Sequence, residues 1–179
     1  MKKLVAFSLA MFGFGVIISL CLLPQNSYGC LNYQKFETPG SIFFVRNNIY
    51  TIFLILSGSL LFGTTSFVNL VYNGMSFGAA VKWSLVCGMS INEILFLTLP
   101  HGIFEIPAII IAGAAGFKIP CEIIRYLTGK KEQPLTKEDI KEYFMLALIS
   151  IILIVIAAWV EANITLKIAK AMLNSTKGI

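Results

Sequence analysis

From Leu4 to Leu23 the chain carries no charged residue, and the same is true from Phe144 to Val160. Runs of that length constrain the fold more than any other feature. Lipid gives backbone N–H and C=O groups no partner, so an isolated run crosses a bilayer as a self-satisfied helix. About 20 apolar residues suffice for one crossing. Composition agrees, with 57% of the 179 residues apolar and 13% charged, against roughly 45–50% and 25% in average globular usage. A chain this size could not hide so much apolar surface from water. The formal net charge of +5 does not point to nucleic acid, because the basic residues form no stripe with interleaved aromatics. They gather beside apolar runs, as the positive-inside rule expects.

The expected architecture is all-α: one polytopic membrane domain over 1–179 with about five transmembrane helices. The spans are read at 4–23, 49–71, 75–97, 100–117 and 143–160, with a cytoplasmic loop at 118–142 and an exposed tail at 162–179. The first run exceeds the ~7–15 residues of a signal h-region, so it is read as an uncleaved helix. Ser27-Tyr28-Gly29-Cys30 resembles a lipoprotein cleavage site, but Ser27 stands where an aliphatic residue belongs. Asn73-Gly74 is read as a turn between the second and third spans. Ser59/Gly63 and Gly74/Gly78 repeat a small-x-x-x-small spacing that lets helices approach closely. Lys82 is placed near the cytoplasmic end of its span, from which it snorkels. Thr98-Leu99-Pro100 is read as a break, with Pro100 opening a short fourth span that Pro107 kinks. Thr136 is the expected N-cap of the fifth span, followed by acids in the first turn.

The charged run from Lys118 to Glu142 is read chiefly as a solvated face. Its lysines and arginine, with the amino terminus, are placed in the cytoplasm of a bacterial plasma membrane, and the carboxyl terminus outside. Cys21, Cys30, Cys87 and Cys121 form no C-x-x-C pair, so no zinc site or redox motif is indicated. Cys87 is read as a small packing residue within an apolar span.

His101, the sole histidine, and Glu105 stand in the apolar stretch Leu99 to Gly116. Ionisable groups there cost several kcal/mol unless paired, hydrated or near the interface. At i and i+4 they share a helix face. Glu161 lies about 27 Å along the last span from Tyr143, at a depth expected to match His101. Three readings follow. An imidazole with two carboxylates could hold a divalent metal such as zinc with an open position. The same groups could act as general acid and base or relay protons. Alternatively, they are polar glue between helices. Asn92 and Glu93 are read as capping the outer interface, Asn69 and Asn73 as turn and packing residues, and Trp159 as an interfacial aromatic. With one histidine, a Ser-His or Cys-His hydrolase is disfavoured.

Asn73-Gly74, Gly78-Ala79-Ala80, Pro100-His101-Gly102 with Glu105 and Pro107, Ala112-Gly113-Ala114-Ala115-Gly116, and Glu161-Ala162 with Thr165 together closely resemble the stage II sporulation protein M family. The resemblance implies a polytopic protein that partners envelope-remodelling factors during sporulation. Compact relatives occur in circular-bacteriocin gene clusters, which implies maturation, secretion or self-protection beside an ABC exporter. By position, the family's shared polar residues here are Asn73, His101, Glu105 and Glu161. The expected function is that of an accessory membrane component. An intramembrane metal-dependent or acid–base peptidase or cyclase acting on an apolar peptide is the first alternative, and a proton-coupled transporter the second.

Overall fold

A computed structural model describes residues 1–22 and 41–176. The described residues are almost entirely helical: α1 (Lys2–Leu22), α2 (Ser41–Leu56), α3 (Thr64–Val86), α4 (Ile91–Leu127), α5 (Lys137–Val160) and α6 (Leu166–Thr176). A π turn over Glu161–Thr165 joins α5 to α6 without a break in the rod. The all-helical expectation holds. Three helical stretches, Lys2–Leu22, Ile91–Leu127 and Lys137–Met172, are long and apolar enough to cross a membrane.

Two boundaries differ from the sequence reading. The turn expected at Asn73-Gly74 lies inside α3. Both neighbouring asparagines stay helical because each side chain donates to the carbonyl one turn back: Asn69 to Thr65 O at 2.8 Å and Asn73 to Asn69 O at 2.7 Å. The chain reverses earlier, through the 3₁₀ turn Ser57–Ser59 to Gly63, where Phe62 and Gly63 take φ of 50° and 81°. Ser59 and Gly63 therefore belong to a turn and not to a helix seam. Lys82 accordingly sits near the far end of α3, its Nζ donating to Leu20 O at 2.8 Å.

The second difference is the break at 98–100, which does not form. Ser90 caps α4 with a reciprocal capping box to Glu93, and the helix runs through Pro100, Pro107 and Pro120. Missing N–H groups at prolines remove single hydrogen bonds, and the flanking turns keep the helix continuous. Glu93 thus caps a helix end, in line with its bland reading. Lys118 to Leu127 is also helix, not loop.

The direction of each helix follows from its close approaches. A Cβ on Gly15 would lie 2.1 Å from Val71 O, one on Gly74 2.0 Å from Phe12 O, and one on Gly78 2.1 Å from Ser19 Oγ. A Cβ on Gly15 would also lie 2.9 Å from Met75 N, and Lys82 donates to Leu20 O. The pairs Phe12–Gly74, Gly15–Met75, Ser19–Gly78 and Leu20–Lys82 rise together, so α1 and α3 run parallel, backbone against backbone. Gly74 and Gly78 make the close seam that their spacing predicts. A second seam joins the α2–α3 turn to α4. Ser66 Oγ donates to Ile55 O at 2.6 Å, and a Cβ on Gly116 would strike that same oxygen from Ser66 at 2.0 Å. Around these seams Ile52, Ile55, Leu70, Ala108, Ala112, Ala115, Ile154 and Ala157 close the core.

Cys87 is disulfide-bonded, which corrects its reading as a packing residue. The helix ends at Val86, so Cys87 is its C-cap and stands outside the apolar span. Cys21 and Cys121 are free thiols. Cys30 and the residues of the lipoprotein-like motif lie outside the described residues.

Candidate functional site

Helix α4 carries polar groups at two levels. His101 and Glu105 come first, then an apolar stretch from Ile106 to Phe117, then Lys118, Glu122 and Arg125. Seventeen residues separate Glu105 from Glu122, about 25 Å along a helix. That is close to the ~30 Å hydrocarbon thickness of a bilayer.

The upper level is a cavity of about 470 Å³ between α2, α3, α4 and the π turn. His101, Glu105 and Glu161 all line it, with Asn48, Asn73 and Thr98. Helix α4 starts at Ile91, so His101 lies about 15 Å along it and not at a helix start. His101 Nε2 is 3.8 Å from Glu105 Oε2. Its Nδ1 is 3.1 Å from Thr165 Oγ1, a hydroxyl delivered by the π turn. Such wide turns recur at functional sites because they re-aim side chains, and this one lets Glu161 and Thr165 reach α4 together. Thr165 is buried and does not line the cavity. It orients the imidazole and is not presented as a nucleophile.

Glu105 and Glu161 are near enough to interact electrostatically. Among the described residues, however, no three His, Cys, Asp or Glu side chains converge closely enough to hold a metal ion. Asn73 reaches the cavity through α3.

Sequence reasoning missed Asn48. It is only 7% exposed, and its Nδ2 is buried without a hydrogen-bond partner. It faces Glu161 but falls short of bonding geometry. A buried donor left unmet costs about 1–3 kcal/mol. The available signal was the pair Asn47-Asn48, beside Arg46, within the largely apolar run from Ile42 to Leu56.

The lower level divides the charged run 118–142: Lys130, Glu132, Lys137, Glu138 and Lys141 keep the solvated face expected of it, while Lys118, Glu122 and Asp139 turn inward. Lys118 Nζ lies 3.3 Å from Glu122, 3.2 Å from Asp139 and also against Glu142. Arg125 and Lys131 close on Glu122 at 3.1 and 2.9 Å, and Lys131 pairs with Asp139. Lys118, Glu122 and Asp139 are buried. Three cations thus meet three carboxylates across the α4–α5 turn. Thr136 caps α5 as predicted, with Asp139 completing a capping box.

An all-helical membrane protein with a polar cavity at one level and a buried ion network at the other is the class these features define. Within that class, the chain matches the family described as stage II sporulation protein M over residues 4–166, and it belongs to that family. Uncharacterized protein MJ0793 of Methanocaldococcus jannaschii is 45% identical over 174 residues, covering 96% of each chain. Uncharacterized protein MJ0706 of the same organism is 28% identical over 189 residues, covering 97% of this chain and 86% of the relative. No solved structure matches.

Proposed function

We propose that this chain is a multi-pass membrane component that works through its cavity, taking up a small polar group there. In this reading it is accessory to a larger apparatus for envelope remodelling, or for bacteriocin maturation, secretion or self-protection. Family membership supports the setting. One observation carries the site: some 470 Å³ stays open among His101, Glu105, Glu161 and Asn48. A space of that size falls within the ~300–1,000 Å³ range of small-molecule sites. The broad apolar exterior of α1, α4 and α5 offers lipid and membrane-protein partners, such as an ABC exporter, their contact surface.

The reading places Lys2, Lys3 and the ion network in the cytoplasm, where positive charge accumulates. The disulfide at Cys87 supports this, because it stands at the opposite end of α3 and disulfides persist in oxidising compartments. Five helical rods alternating in direction would then make five crossings, with the carboxyl terminus outside. A second reading, proton-coupled transport, draws on the depth of His101 and Glu105 within the bundle.

The test is complementation of a strain lacking the gene by Glu105→Gln and Glu161→Gln variants. Loss of the phenotype at unchanged protein level and unchanged thermal stability is expected. Full complementation, or failure only through loss of folded protein, would reduce the cavity to packing. Proton flux in proteoliposomes that both variants abolish would select the transporter reading.

A further inference from the structure

Taking the cavity as a binding site, the residues that line it also define what it binds. Among the described residues its lining contains two glutamates, Glu105 and Glu161, and neither lysine nor arginine. Glu105 has His101 at 3.8 Å. Among the described residues Glu161 has no ion-pair partner, whereas every carboxylate of the lower network is matched by a cation. The contrast is informative, since the described bundle pairs its carboxylates at one level and leaves Glu161, on the π turn, without a cation at the other. Charged groups away from bulk water are retained where a partner arrives.

The second, independent observation is Asn48. Its buried Nδ2 faces Glu161 but has no acceptor at bonding distance, so a partner that presents an oxygen as well as a positive charge would satisfy both groups. The third is size and wall chemistry. A bare metal or alkali ion needs far less than 470 Å³, a volume within the ~300–1,000 Å³ range of small-molecule sites. Phe12, Tyr72 and Phe77 also line the space, and aromatic rings suit organic cations.

We infer that the cavity binds a primary ammonium group carrying a neighbouring oxygen acceptor, with the ammonium against Glu161 and Glu105 and the oxygen against Asn48. That chemistry comes either from a small water-soluble amine or from an ethanolamine lipid headgroup.

The experiment is calorimetric titration of the purified full chain, in nanodiscs of phosphatidylcholine, with glycinamide, propylamine and acetate as probes. Saturable binding of glycinamide, at least tenfold tighter than propylamine and with no response to acetate, is expected. Glu161→Gln should weaken glycinamide at least tenfold. Asn48→Ala should bring glycinamide to the level of propylamine while leaving propylamine unchanged. Wild-type protein that is folded by circular dichroism yet binds no amine overturns the inference, even if Glu161→Gln misfolds. Binding of acetate alone also overturns it, but leaves the cavity as a working site, so the two readings fail separately. Repeating the titration in phosphatidylethanolamine nanodiscs assigns the source. A tenfold competitive weakening identifies the headgroup, and an unchanged affinity identifies a soluble amine; either outcome supports the ammonium site.

Discussion

His101 Nδ1 is hydrogen-bonded to Thr165 at 3.1 Å, and its Nε2 faces Glu105 at 3.8 Å, beyond hydrogen-bond reach. The hydrogen bond at Nδ1 sets which edge of the ring faces the cavity, because a bond at one ring nitrogen fixes the role of the other. Thr165→Val removes one hydrogen bond, worth about 1 kcal/mol, and frees the ring. Complementation should fall for Thr165→Val and recover for Thr165→Ser, with both melting close to wild type in detergent. Equal complementation by the two would show that ring orientation is irrelevant. At this scale much was legible: His101 and Glu105 declare themselves by chemical type at i and i+4, and Glu161 by its place in an apolar rod. Thr165 could be named only through the family pattern, because nothing local marks a threonine as a partner of a ring 64 residues away. Asn48 was hidden by placing the second span at Ile49, which left it on the polar side of an assumed boundary.

The helices meet through glycine where their backbones touch, and not every glycine does this. A Cβ on Gly74 would collide with Phe12 O at 2.0 Å, whereas one on Gly102 would meet nothing nearer than Thr98 Cγ2 at 3.8 Å. Gly74→Ala should therefore push α1 off α3 and lower the detergent melting temperature, at a cost of about 1–3 kcal/mol. Gly102→Ala, beside the histidine, should fold like wild type. Equal stability of the two variants would show that the seam is not tight. Element existence was readable from apolar runs, and the Thr136 cap from its following acids. Boundaries were not, for identifiable reasons. The pair Asn-Gly usually punctuates a turn, but here both asparagines bond back onto their own helix. A proline usually opens or breaks a helix, but Ser90 and Glu93 had already capped α4 one level earlier. That capping box stood in the sequence as Ser90-x-x-Glu93, inside what was taken for continuous span.

Across the whole molecule, the two polar levels of α4 differ in kind. One is an open space; the other is a closed, charge-balanced network. Lys131 shows the network's effect most directly. Its hydrogen bonds to Asp139 and Glu122 raise its pKa above the ordinary lysine value, against a smaller loss from desolvation. A cation with a raised folded-state pKa contributes stability that is fully present below the ordinary lysine pKa and is lost as pH rises through the raised one. Thermal stability in detergent should accordingly decline on the alkaline side. Lys131→Met should lower the melting temperature at neutral pH and flatten that alkaline decline. An unchanged profile in this variant would rule out a stabilising network. None of this was visible in the linear chain, because carboxylates on either side of a turn look the same whether they face water or one buried lysine. Only the fold of α5 back onto α4 brings Asp139 and Glu142 to Lys118.

The parallel seam of α1 on α3 has a consequence for biogenesis. Neighbours in sequence usually pair as antiparallel hairpins and can settle together as they leave the translocation machinery. Here the first helix finds its glycine-lined partner only after α2 has passed and the chain has reversed through Gly63. Until Gly74 and Gly78 emerge, Gly15 and Ser19 remain in the bilayer with lipid where backbone belongs. Assembly must wait for α3, and an insertion factor or chaperone that shelters α1 during that interval would determine how much of the protein matures.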